Sequence, residues 1–588
     1  MERKKIFDFT QLRRVFRYSK PYKGRFVISL VLAIVLAVMA PIRPILIQHT
    51  INNIIASGFV SALVWITVIQ IGILIIETAL RFLFSFLTTW LGQTVVKDLR
   101  VEVYQKVLHL NLSQFDKTPI GTLTTRTIND IESINDIFSE GLIPLVADFL
   151  SIIAILVAMF WTNWQLTLVC LIPFPFLVLS TYYFKESVNK SFIRVRNAVA
   201  ALNAFVQEHI TGIQVVQAFA VEDHEAQKFR DINKEHRNAN INAIFAYSVF
   251  FPLVEIVLAS SMGLLVWYAG VQVTDLSPQE GARISGQIVS FIIMMNLLFR
   301  PLRVIADKFN VLQMGMVASD RVFKVLDNSD FADDNGSYEA SRIRGDIKFR
   351  GVSFGYNEER EVLKNINFHI EPGQTMAIVG HTGSGKTSII SLINRLYHVK
   401  KGEILVDDRN IEDYSLPSLR RSIGVVLQDV FLFSGSVYDN VTLRNPEIRK
   451  EEVIRAAQLI GMHDFIMRLP GGYDYNVMER GGTLSMGQRQ LLSFVRALLY
   501  DPSVLILDEA TSSIDTESEL LIQGAIDKLI SGRTNIIIAH RLSTIRKADV
   551  IMVMDKGEIR EIGSHSELLA LNGHYANLYR MQYEALGA

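Results

Sequence analysis

A glycine-rich stretch at residues 380–388 carries the residue types needed to hold a chain of phosphates. It reads Gly380-His381-Thr382-Gly383-Ser384-Gly385-Lys386-Thr387-Ser388 and directly follows the apolar run 375–379. Its glycines allow backbone conformations that turn successive N–H groups inward, where they and a helix N-terminus bind an anion. Lys386 is then placed at the β and γ phosphates, and the Thr387 hydroxyl is placed to ligate Mg²⁺. The apolar run 389–393 predicts the following helix, so the stretch predicts a nucleoside triphosphate site rather than a flexible loop.

Other apolar runs end in polar side chains that complement this cradle. Residues 503–507 end in Asp508-Glu509, residues 535–539 end in His540, and residues 423–427 end in Gln428. If these runs are parallel strands, their carboxyl ends share the sheet edge where α/β folds bind ligands. There we expect Asp508 to hold Mg²⁺ through water, Glu509 to activate the attacking water and His540 to contact the γ-phosphate. Tyr356, upstream, offers an aromatic face for a base.

The elements that position these side chains belong to a chain of 588 residues, of which 49% are hydrophobic, more than a soluble protein usually needs. Apolar segments long enough for membrane helices, near or above ~20 residues, lie at about 26–47, 61–91, 139–161, 164–184, 242–270 and 284–302. Charges balance at 59 basic and 59 acidic residues, so net charge does not indicate a nucleic-acid partner. The single cysteine, Cys170, excludes an intramolecular disulfide framework and a Cys-based metal site.

Lysine and arginine are distributed unevenly between the connections. The short connections 48–60, 162–163 and 271–282 contain neither, whereas residues 1–25, 92–138 and 185–241 are rich in both. By the positive-inside tendency, the long connections and both termini are expected in the cytoplasm of a multi-pass inner-membrane protein. Apolar residues at helical spacing within the long connections predict that membrane helices continue beyond the bilayer.

Each long connection contains a candidate for a short transverse element. The first is 114–122, with Phe115 and the turn signal around Pro119 and Gly121. The second is 216–222, with Phe219 and Glu222. Local sequence alone leaves open whether these segments have a function or are ordinary helix–turn–helix connections.

Ionisable residues inside apolar segments are costly in a bilayer and mark candidate functional positions. Glu77 and Arg81 are spaced to pair on one helix face, and Arg43 is expected to extend outward from the end of its segment. Asp148 and Glu255 lie deep in apolar runs. An ion pair within the protein and direct contact with a transported substrate would each offset the cost of burying these carboxylates. Asp148 and Glu255 are therefore candidates for a substrate pathway.

The pattern changes after the sixth apolar segment. A helical pattern runs to about residue 326, residues 326–345 form a polar linker, and β-branched strands alternate with helices from residue 346 onward. This predicts a multi-domain protein with an all-α six-helix transmembrane domain at 1–325, which carries long cytoplasmic helix extensions, and an α/β P-loop nucleotide-binding domain at 346–588.

The run Leu484-Ser485-Met486-Gly487-Gln488-Arg489-Gln490, which lies between the cradle and Asp508-Glu509, resembles the signature peptide of ATP-binding cassette (ABC) proteins. With six membrane segments on the same chain, the sequence resembles a half-transporter of the type I ABC exporters, a group that includes bacterial multidrug exporters and the lipid A flippase. The resemblance implies that Tyr356 stacks on adenine, that Gln428 contacts Mg²⁺ and that His540 is the switch histidine. It also assigns residues 479–481 to a cross-subunit loop, 512–515 to the D-loop, and both transverse segments to coupling helices.

The same resemblance implies that two chains complete each ATP site. Ser485, Gly487 and Gln488 would lie at the start of the helix 487–499 and bind the γ-phosphate of ATP in the partner's cradle. ATP then closes the nucleotide-binding domains, the coupling helices transmit the closure, and hydrolysis resets the transporter. The implied activity is ATP-driven export of amphipathic molecules. A lipid flippase has the same architecture, and an ATP-gated channel or a non-pumping regulatory membrane ATPase is the alternative from another class.

The signature departs from the family pattern, which usually has two glycines, because Met486 replaces the first. Heterodimeric exporters often pair a subunit that has an intact catalytic glutamate and an altered signature with one of the opposite pattern. The runs 484–490 and 512–515 also resemble those of the second subunit of a multidrug-resistance-like bacterial pair. A tolerated variant in a homodimer is the alternative, and the sequence leaves both open.

Overall fold

The computed structural model describes residues 9–55, 58–273, 278–331, 336–357, 359–508, 516–539 and 541–581. Contacts divide the chain into two compact units, of which the first contains residues 1–108 and 120–328 and the second contains 109–119 and 329–588. The short segment 109–119 interrupts the helical first half of the sequence, yet its contacts group it with the second unit. The predicted range 1–325 for the membrane domain did not set this segment apart.

The first half of the chain consists of helices. They are α1 Phe9–Arg17, α2 Lys23–Met39, α3 Ile42–His49, α4 Val60–Leu108, α5 Leu112–Lys117, α6 Ile120–Thr127, α7 Asn129–Asp136, α8 Leu142–Thr162, α9 Trp164–Leu171, α10 Phe174–Thr211, α11 Ile213–Ala218, α12 Glu222–Val273 and α13 Pro278–Leu326. Helix α5 belongs to the second unit and the others to the first. A single turn of π-helix, Thr50–Ile55, follows α3, and another, Ile137–Gly141, joins α7 to α8.

Within the described residues, six helical stretches are long and apolar enough to cross a membrane, which confirms the prediction of six membrane helices. They are Lys20–Ile55, Val60–Leu108, Ile120–Thr162, Trp164–Thr211, Glu222–Gln272 and Ile284–Leu326. Large apolar side chains on them remain uncovered, as at Phe82, which is 70% exposed. Such surfaces suit contact with lipid.

The long helices extend well beyond the thickness of a bilayer. Helix α4 has 49 residues and α12 has 52, so each is roughly 75 Å long at about 1.5 Å per residue. Because the hydrocarbon core is about 30 Å thick, both helices continue outside it, as the sequence predicts. The fourth membrane stretch is interrupted at Pro173, since α9 ends at Leu171 and α10 begins at Phe174.

Glycines allow close helix packing inside the first unit. A Cβ atom on Gly315 of α13 would lie 2.4 Å from Ile137 Cγ1, and one on Gly92 of α4 would lie 2.3 Å from Asn135 Oδ1. Helices α4 and α13 therefore pack directly on the segment around α7. A larger side chain at either glycine would force these helices apart.

The second unit contains two sheets. The strands are β1 Ile347–Phe354, β2 Leu363–Ile370, β3 Thr375–Gly380, β4 Lys401–Val406, β5 Arg409–Asn410, β6 Ile423–Val426, β7 Val504–Asp508, β8 Thr534–Ile538, β9 Val550–Asp555 and β10 Glu558–Gly563. The described strands form an antiparallel sheet in the order β2-β1-β4-β5 and a larger sheet in the order β10-β9-β3-β8-β7-β6. In the larger sheet β9, β3, β8, β7 and β6 are parallel, and β10 pairs antiparallel with β9.

The second unit also contains helices. They are α14 Lys386–Ile393, α15 Leu416–Ser422, α16 Val437–Thr442, α17 Lys450–Ile460, α18 His463–Arg468, α19 Met486–Leu499, α20 Thr516–Ile530, α21 Leu542–Lys547, α22 His565–Ala570 and α23 His574–Tyr579. Side chains alternate across each strand, so Met376 and Ile378 of β3 join the core shared with the antiparallel sheet, whereas Ala377 and Val379 join the core shared with α17 and α19. Burial on both faces explains why these strands read as continuous apolar runs.

Candidate nucleotide site and transport elements

The polar side chains predicted to meet at one sheet edge follow neighbouring parallel strands. Ile378 of β3 lies opposite Ile538 of β8, which lies opposite Asp508 of β7. The cradle that follows β3 and the buried Asp508 therefore share the carboxyl edge of the sheet. Gln428 follows β6 on the outer side of β7 and is exposed. Glu509, His540 and residues 512–515 lie outside the described residues.

Backbone geometry explains the glycines of the cradle. Gly380 has φ +154°, and a Cβ atom there would lie 2.2 Å from the carbonyl oxygen of Met554. Gly385 has φ +102° and immediately precedes α14. Side chains at either position would be strained or would clash with the backbone, so this loop can form only with glycine at both.

Lys386 and Ser384 present buried polar groups to the cradle. Lys386 Nζ donates to the carbonyl oxygens of Gly380 at 2.7 Å and His381 at 3.0 Å. Burial lowers the pKa of Lys386, and the charge of Asp508 opposes that shift. Within the described part of the chain, the buried Ser384 Oγ has no hydrogen-bond partner. An ammonium and an orphaned hydroxyl in a glycine loop at a helix start fit the phosphates of a nucleotide.

Most of the remaining cradle residues are open to solvent. His381, Thr382, Gly383 and Thr387 are exposed, and Ser388 is buried at the start of α14. Among the described residues there is no cluster of three or more His, Cys, Asp or Glu that could hold a metal ion. The oxygen donors at hand are the Thr387 hydroxyl, the Gln428 amide and the Asp508 carboxylate. They suit Mg²⁺, which retains water and shares its coordination with substrate phosphates.

Tyr356 lies beside the cradle and forms part of a cluster of aromatic rings. Its hydroxyl shares a hydrogen bond with Ser388 Oγ at 3.0 Å. Its ring makes edge contacts with Phe354 at 4.9 Å and Tyr397 at 5.1 Å between centroids. A cavity of about 790 Å³ lies along Tyr356 and Gly383. This cavity has room for a base next to the phosphate site.

The signature residues form the N-terminal cap of α19. Ser485 Oγ accepts a hydrogen bond from Gln488 N at 3.2 Å, and the Gln488 side chain accepts one from Ser485 N at 2.9 Å. Gly487 is buried in the first turn. Met486 is 47% exposed and lines a cavity of about 320 Å³ with Gln428 and Arg480. Its side chain adds bulk at the helix start, and the capping hydrogen bonds form despite it.

The two transverse segments are short helices with turns on either side. Helix α5 covers residues 112–117, so the predicted range 114–122 includes the end of α5, the exposed Pro119 and the start of α6 with Gly121. Phe115 in α5 is half-buried. The predicted range 216–222 includes the end of α11 and Glu222, the first residue of α12. Between them Phe219 is 75% exposed.

Each acidic residue singled out in the apolar segments pairs with a basic residue. Arg81 contacts Glu77 at 2.9 Å, which confirms the predicted pair. Arg303 contacts Glu255 at 2.7 Å, and Lys308 pairs with Asp148. These last two ion pairs join α12 to α13 and α8 to α13.

Arg43 is half-buried. It lines a cavity of about 380 Å³, together with Asp148, Arg300 and Lys308. The cavity lies inside the first unit, between helices α3, α4, α8 and α13.

Several contacts near the nucleotide site were not anticipated from sequence. Tyr397 Oη donates to Asp116 Oδ2 of α5 at 2.6 Å. The side chains of Asn111, Ser113 and Gln114 all donate to the carboxylate of Asp330. The partners are more than 200 positions apart in the chain, so no local pattern could have identified them.

Together, these features define a class of protein. A P-loop precedes α14, a parallel sheet ends in a carboxylate beside it, and a capped signature helix and an antiparallel sheet complete the second unit. This arrangement defines an ABC-type ATP-binding domain, and the same chain carries long apolar helices.

Comparison with known proteins assigns the family. A model of the ABC transporter transmembrane region matches residues 26–302, and a model named ABC transporter matches residues 363–512. The "Uncharacterized ABC transporter ATP-binding protein YknV" of Bacillus subtilis is 37% identical over 98% of this chain and 96% of its own length. The "ATP-dependent lipid A-core flippase" of Syntrophus aciditrophicus is 35% identical over 97% and 94%, respectively. The "Probable multidrug resistance ABC transporter ATP-binding/permease protein YheH" of Bacillus subtilis is 36% identical over 87% and 76%.

The chain belongs to the ABC transporter family, as a half-transporter of the type I exporter group. It is a multi-pass membrane protein that binds ATP and couples ATP hydrolysis to export.

Proposed function

We propose that this chain is one half of an exporter that moves amphipathic or lipophilic molecules outward across the cytoplasmic membrane by alternating access. The observation that carries the proposal is the sheet edge where the cradle and Asp508 meet, in a chain that also has long apolar helices. Relatives whose names refer to multidrug resistance and to lipid A-core flipping support an amphipathic substrate. The charged connections 92–138 and 185–241 support a cytoplasmic location for the nucleotide-binding domain and both termini.

Different residues of this chain have different roles in ATP hydrolysis. The cradle and Lys386 bind the phosphates, and Tyr356 stacks on the base. Thr387, Gln428 and Asp508 would hold Mg²⁺, which when bound neutralises phosphate charge. Glu509 orients the attacking water and accepts its proton, and His540 contacts the γ-phosphate.

A second half-transporter completes each site. The start of α19, with Ser485, Gly487 and Gln488, is suited to bind the γ-phosphate in a partner's cradle, because a helix N-terminus attracts anions. The exposed apolar side chains of Val215 and Phe219, at the end of α11, support a role of this segment in contacting a partner. The altered signature at Met486 is compatible with a homodimer and with a heterodimer.

Coupling between ATP and the membrane helices is assigned to the transverse segments. Phe115, Pro119 and Gly121 lie in or beside α5, and Phe219 and Glu222 lie between α11 and α12. The first segment joins α4 to the helical stretch Ile120–Thr162, and the second joins α10 to α12. A displacement of either segment would therefore move the helices on both sides of it. ATP-driven closure of the nucleotide-binding domains would thereby switch access to the membrane cavity.

Ion pairs in the first unit favour a structural role for the two acidic residues Asp148 and Glu255. Asp148 and Glu255 pair with basic residues of α13, and pairing offsets the cost of placing their charges in an apolar region. A substrate that approached these carboxylates would have to compete with Lys308 or Arg303. Both residues remain candidates for the substrate pathway, now as members of ion pairs that join helices.

A lipid flippase is the second candidate, and the cavity of about 380 Å³ specifically favours it. Its lining includes Arg43 and Arg300, and in the described part of the chain neither guanidinium forms an ion pair with a carboxylate. The lining has four basic side chains, Arg43, Arg81, Arg300 and Lys308, and two acidic ones, Glu77 and Asp148. This excess of positive charge favours a substrate with an anionic group, such as a lipid phosphate.

The test is ATPase stimulation and substrate movement in proteoliposomes of the full chain, with a panel of lipophilic cations and of zwitterionic and anionic lipids. Stimulation by lipophilic cations alone supports a multidrug exporter, and stimulation by anionic lipids supports a flippase. Native mass measurement of the extracted complex separates a homodimer from a heterodimer. ATP-dependent ion conductance without substrate movement would replace the exporter with an ATP-gated channel, and ATP turnover without either would indicate a regulatory ATPase.

A further inference from the structure

A continuous series of side-chain contacts leads from the phosphate cradle to α5. Ser388 Oγ, at the start of α14, shares a hydrogen bond with Tyr356 Oη at 3.0 Å. The Tyr356 ring meets Tyr397 with the centroids 5.1 Å apart and an angle of 88° between the rings. Tyr397 Oη donates to Asp116 Oδ2 at 2.6 Å. All four residues belong to the second unit, so the series lies within one compact body.

Tyr397 is held firmly between its neighbours. Its half-buried ring also packs against the buried Phe354, with centroids 5.6 Å apart. Burial and the hydrogen bond to Asp116 raise the pKa of Tyr397, so the hydroxyl stays protonated and donates at neutral pH. A hydrogen bond to a carboxylate is stronger than one between neutral groups. Because the Tyr356 ring is 41% exposed and meets Tyr397 edge-on, a rotation of Tyr356 changes its contact with Tyr397.

The other end of α5 has a separate attachment. Asn111 Nδ2 and Ser113 Oγ donate to the carboxylate of Asp330 at 3.3 Å and 3.2 Å, and Gln114 donates to it as well. Asn111 N donates to the carbonyl oxygen of Asp330 at 3.1 Å. These bonds fix the start of α5, whereas Tyr397 fixes its end at Asp116. The attachment at Asp116 is the one that leads to Tyr356.

We propose that Tyr397 is a positioning residue that transmits adenine binding at Tyr356 to α5 in the same chain. The proposal rests on the proposed function, in which the base stacks on Tyr356. A stacked base fixes the Tyr356 ring, the edge contact then fixes Tyr397, and the hydrogen bond to Asp116 holds the end of α5. Because a ligand shifts an equilibrium only through its differential contacts with the two states, a phosphate chain without a base should leave α5 unchanged.

Amide hydrogen exchange of the full-length protein in nanodiscs tests this prediction. The probes are Mg²⁺-ATP and Mg²⁺-tripolyphosphate, which has the phosphates but no base. We expect both probes to protect residues 380–388. Only ATP should slow exchange in residues 112–117, by at least threefold.

Variants that remove one hydrogen bond test whether this series of contacts, and not general packing, transmits the effect of ATP to α5. Tyr397→Phe keeps the ring and removes the hydroxyl, and Asp116→Ala removes the acceptor. Each should abolish the ATP-induced slowing in α5 while the ATP dissociation constant stays within twofold of wild type. The double variant should match either single variant, because both break one bond. Asp116→Asn retains an acceptor oxygen and should retain at least half of the slowing.

Tyr438→Phe is the matched control, since it removes a hydroxyl that donates to the Ile448 carbonyl oxygen at 2.7 Å elsewhere in the second unit. It should behave as wild type. If ATP fails to protect residues 380–388 in the wild-type protein, the proposed nucleotide site is wrong. If that protection occurs but α5 responds equally to tripolyphosphate, or responds normally in Tyr397→Phe, the role of Tyr397 is overturned and the nucleotide site stands.

Discussion

Lys386 Nζ donates to the carbonyl oxygen of Gly380 at 2.7 Å, so the ammonium group is folded back onto the loop that presents it. A second bond to the His381 carbonyl oxygen leaves one of its three N–H donors available. Burial lowers the pKa of Lys386, because the charged form has lost water without gaining a full counter-charge. A nucleotide phosphate would supply that counter-charge.

Replacement of Lys386 by methionine keeps most of the side-chain volume and removes the ammonium. We expect Lys386→Met to lower the ATPase rate by about 100-fold or more, as loss of a donor to developing charge does, and to weaken ATP binding. Steady-state ATPase and fluorescent-nucleotide titration measure both effects. Lys547→Met, which removes an exposed lysine paired with Asp527, serves as the control. A rate above half of wild type in Lys386→Met would contradict the role of the lysine.

The assignment of Glu509 as the base predicts a separation of binding from turnover. Glu509→Gln should bind ATP within a few-fold of wild-type affinity and lower hydrolysis by about 10²–10⁴-fold. With hydrolysis blocked, closed dimers should accumulate in ATP, which cross-linking of the purified protein can detect. Glu451→Gln, in α17, is the control. Hydrolysis near the wild-type rate in Glu509→Gln would remove this residue from the mechanism.

Met486 offers a direct test of the altered signature. If the chain forms a homodimer, Met486→Gly should raise the ATPase rate several-fold by removing bulk beside the phosphate-binding amides. Met486→Leu keeps the bulk and should match wild type. Because glycine in a helix costs about 0.5–1 kcal/mol relative to alanine, thermal unfolding of both variants must accompany the assay. An unchanged rate in a stable homodimer would show that the methionine is neutral.

Variants of the ion pair between Asp148 and Lys308 test whether this pair takes part in substrate binding. Asp148→Asn should change substrate-stimulated ATPase and leave the basal rate unaltered if the carboxylate takes part in substrate binding. If the role of Asp148 is structural, Asp148→Asn should destabilise the fold, because Lys308 is left unpaired. The double variant with Lys308→Gln removes both charges and should then recover the stability that the single variant loses. Unchanged stimulation in both variants would assign the pair to helix packing. Glu255→Gln, tested with Arg303→Gln, provides the same comparison for the other ion pair.

The contact between Arg14 and Asp327 predicts a pH-dependent attachment of α1. Arg14 Nη1 and Nη2 each donate a hydrogen bond of 2.6 Å to the Asp327 carboxylate. The hydrogen bond from Arg14 lowers the pKa of Asp327 below its ordinary value of 3.8. A lowered carboxyl pKa stabilises the fold above the ordinary value, and this stabilisation is lost as pH falls through the lowered one.

Because this pair is partly exposed, the contribution should not exceed about 1 kcal/mol. Limited proteolysis near the N-terminus, measured from pH 6 to pH 3, should show α1 loosening at the acid end. Arg14→Gln should show the same loosening at pH 6, and Arg17→Gln is the control. Equal protection of Arg14→Gln and wild type at pH 6 would contradict the prediction.

Much of the architecture could be predicted because its signals are local. A run of ~20 apolar residues determines a membrane helix by length alone, and the segments near 61–91 and 242–270 lie within α4 and α12 as expected. The strands before the cradle and before Asp508 were also recognisable, because strands buried on both faces are continuously apolar. Ser485 is the N-cap of α19, which agrees with the helix start that the resemblance to the ABC signature implies.

The sequence by itself determined the class of the protein, the phosphate cradle and the order of membrane and nucleotide-binding domains, since these depend on residue types and on spacing within a few turns or strands. Only the tertiary structure decided that 109–119 packs with the second unit, that Asp148 and Glu255 are paired, that Arg43 lines a cavity, and that Tyr397 connects Tyr356 to Asp116. The physical reason is that a hydrogen bond or ion pair depends on a few ångströms in space, and partners tens to hundreds of residues apart leave no periodic pattern in the sequence.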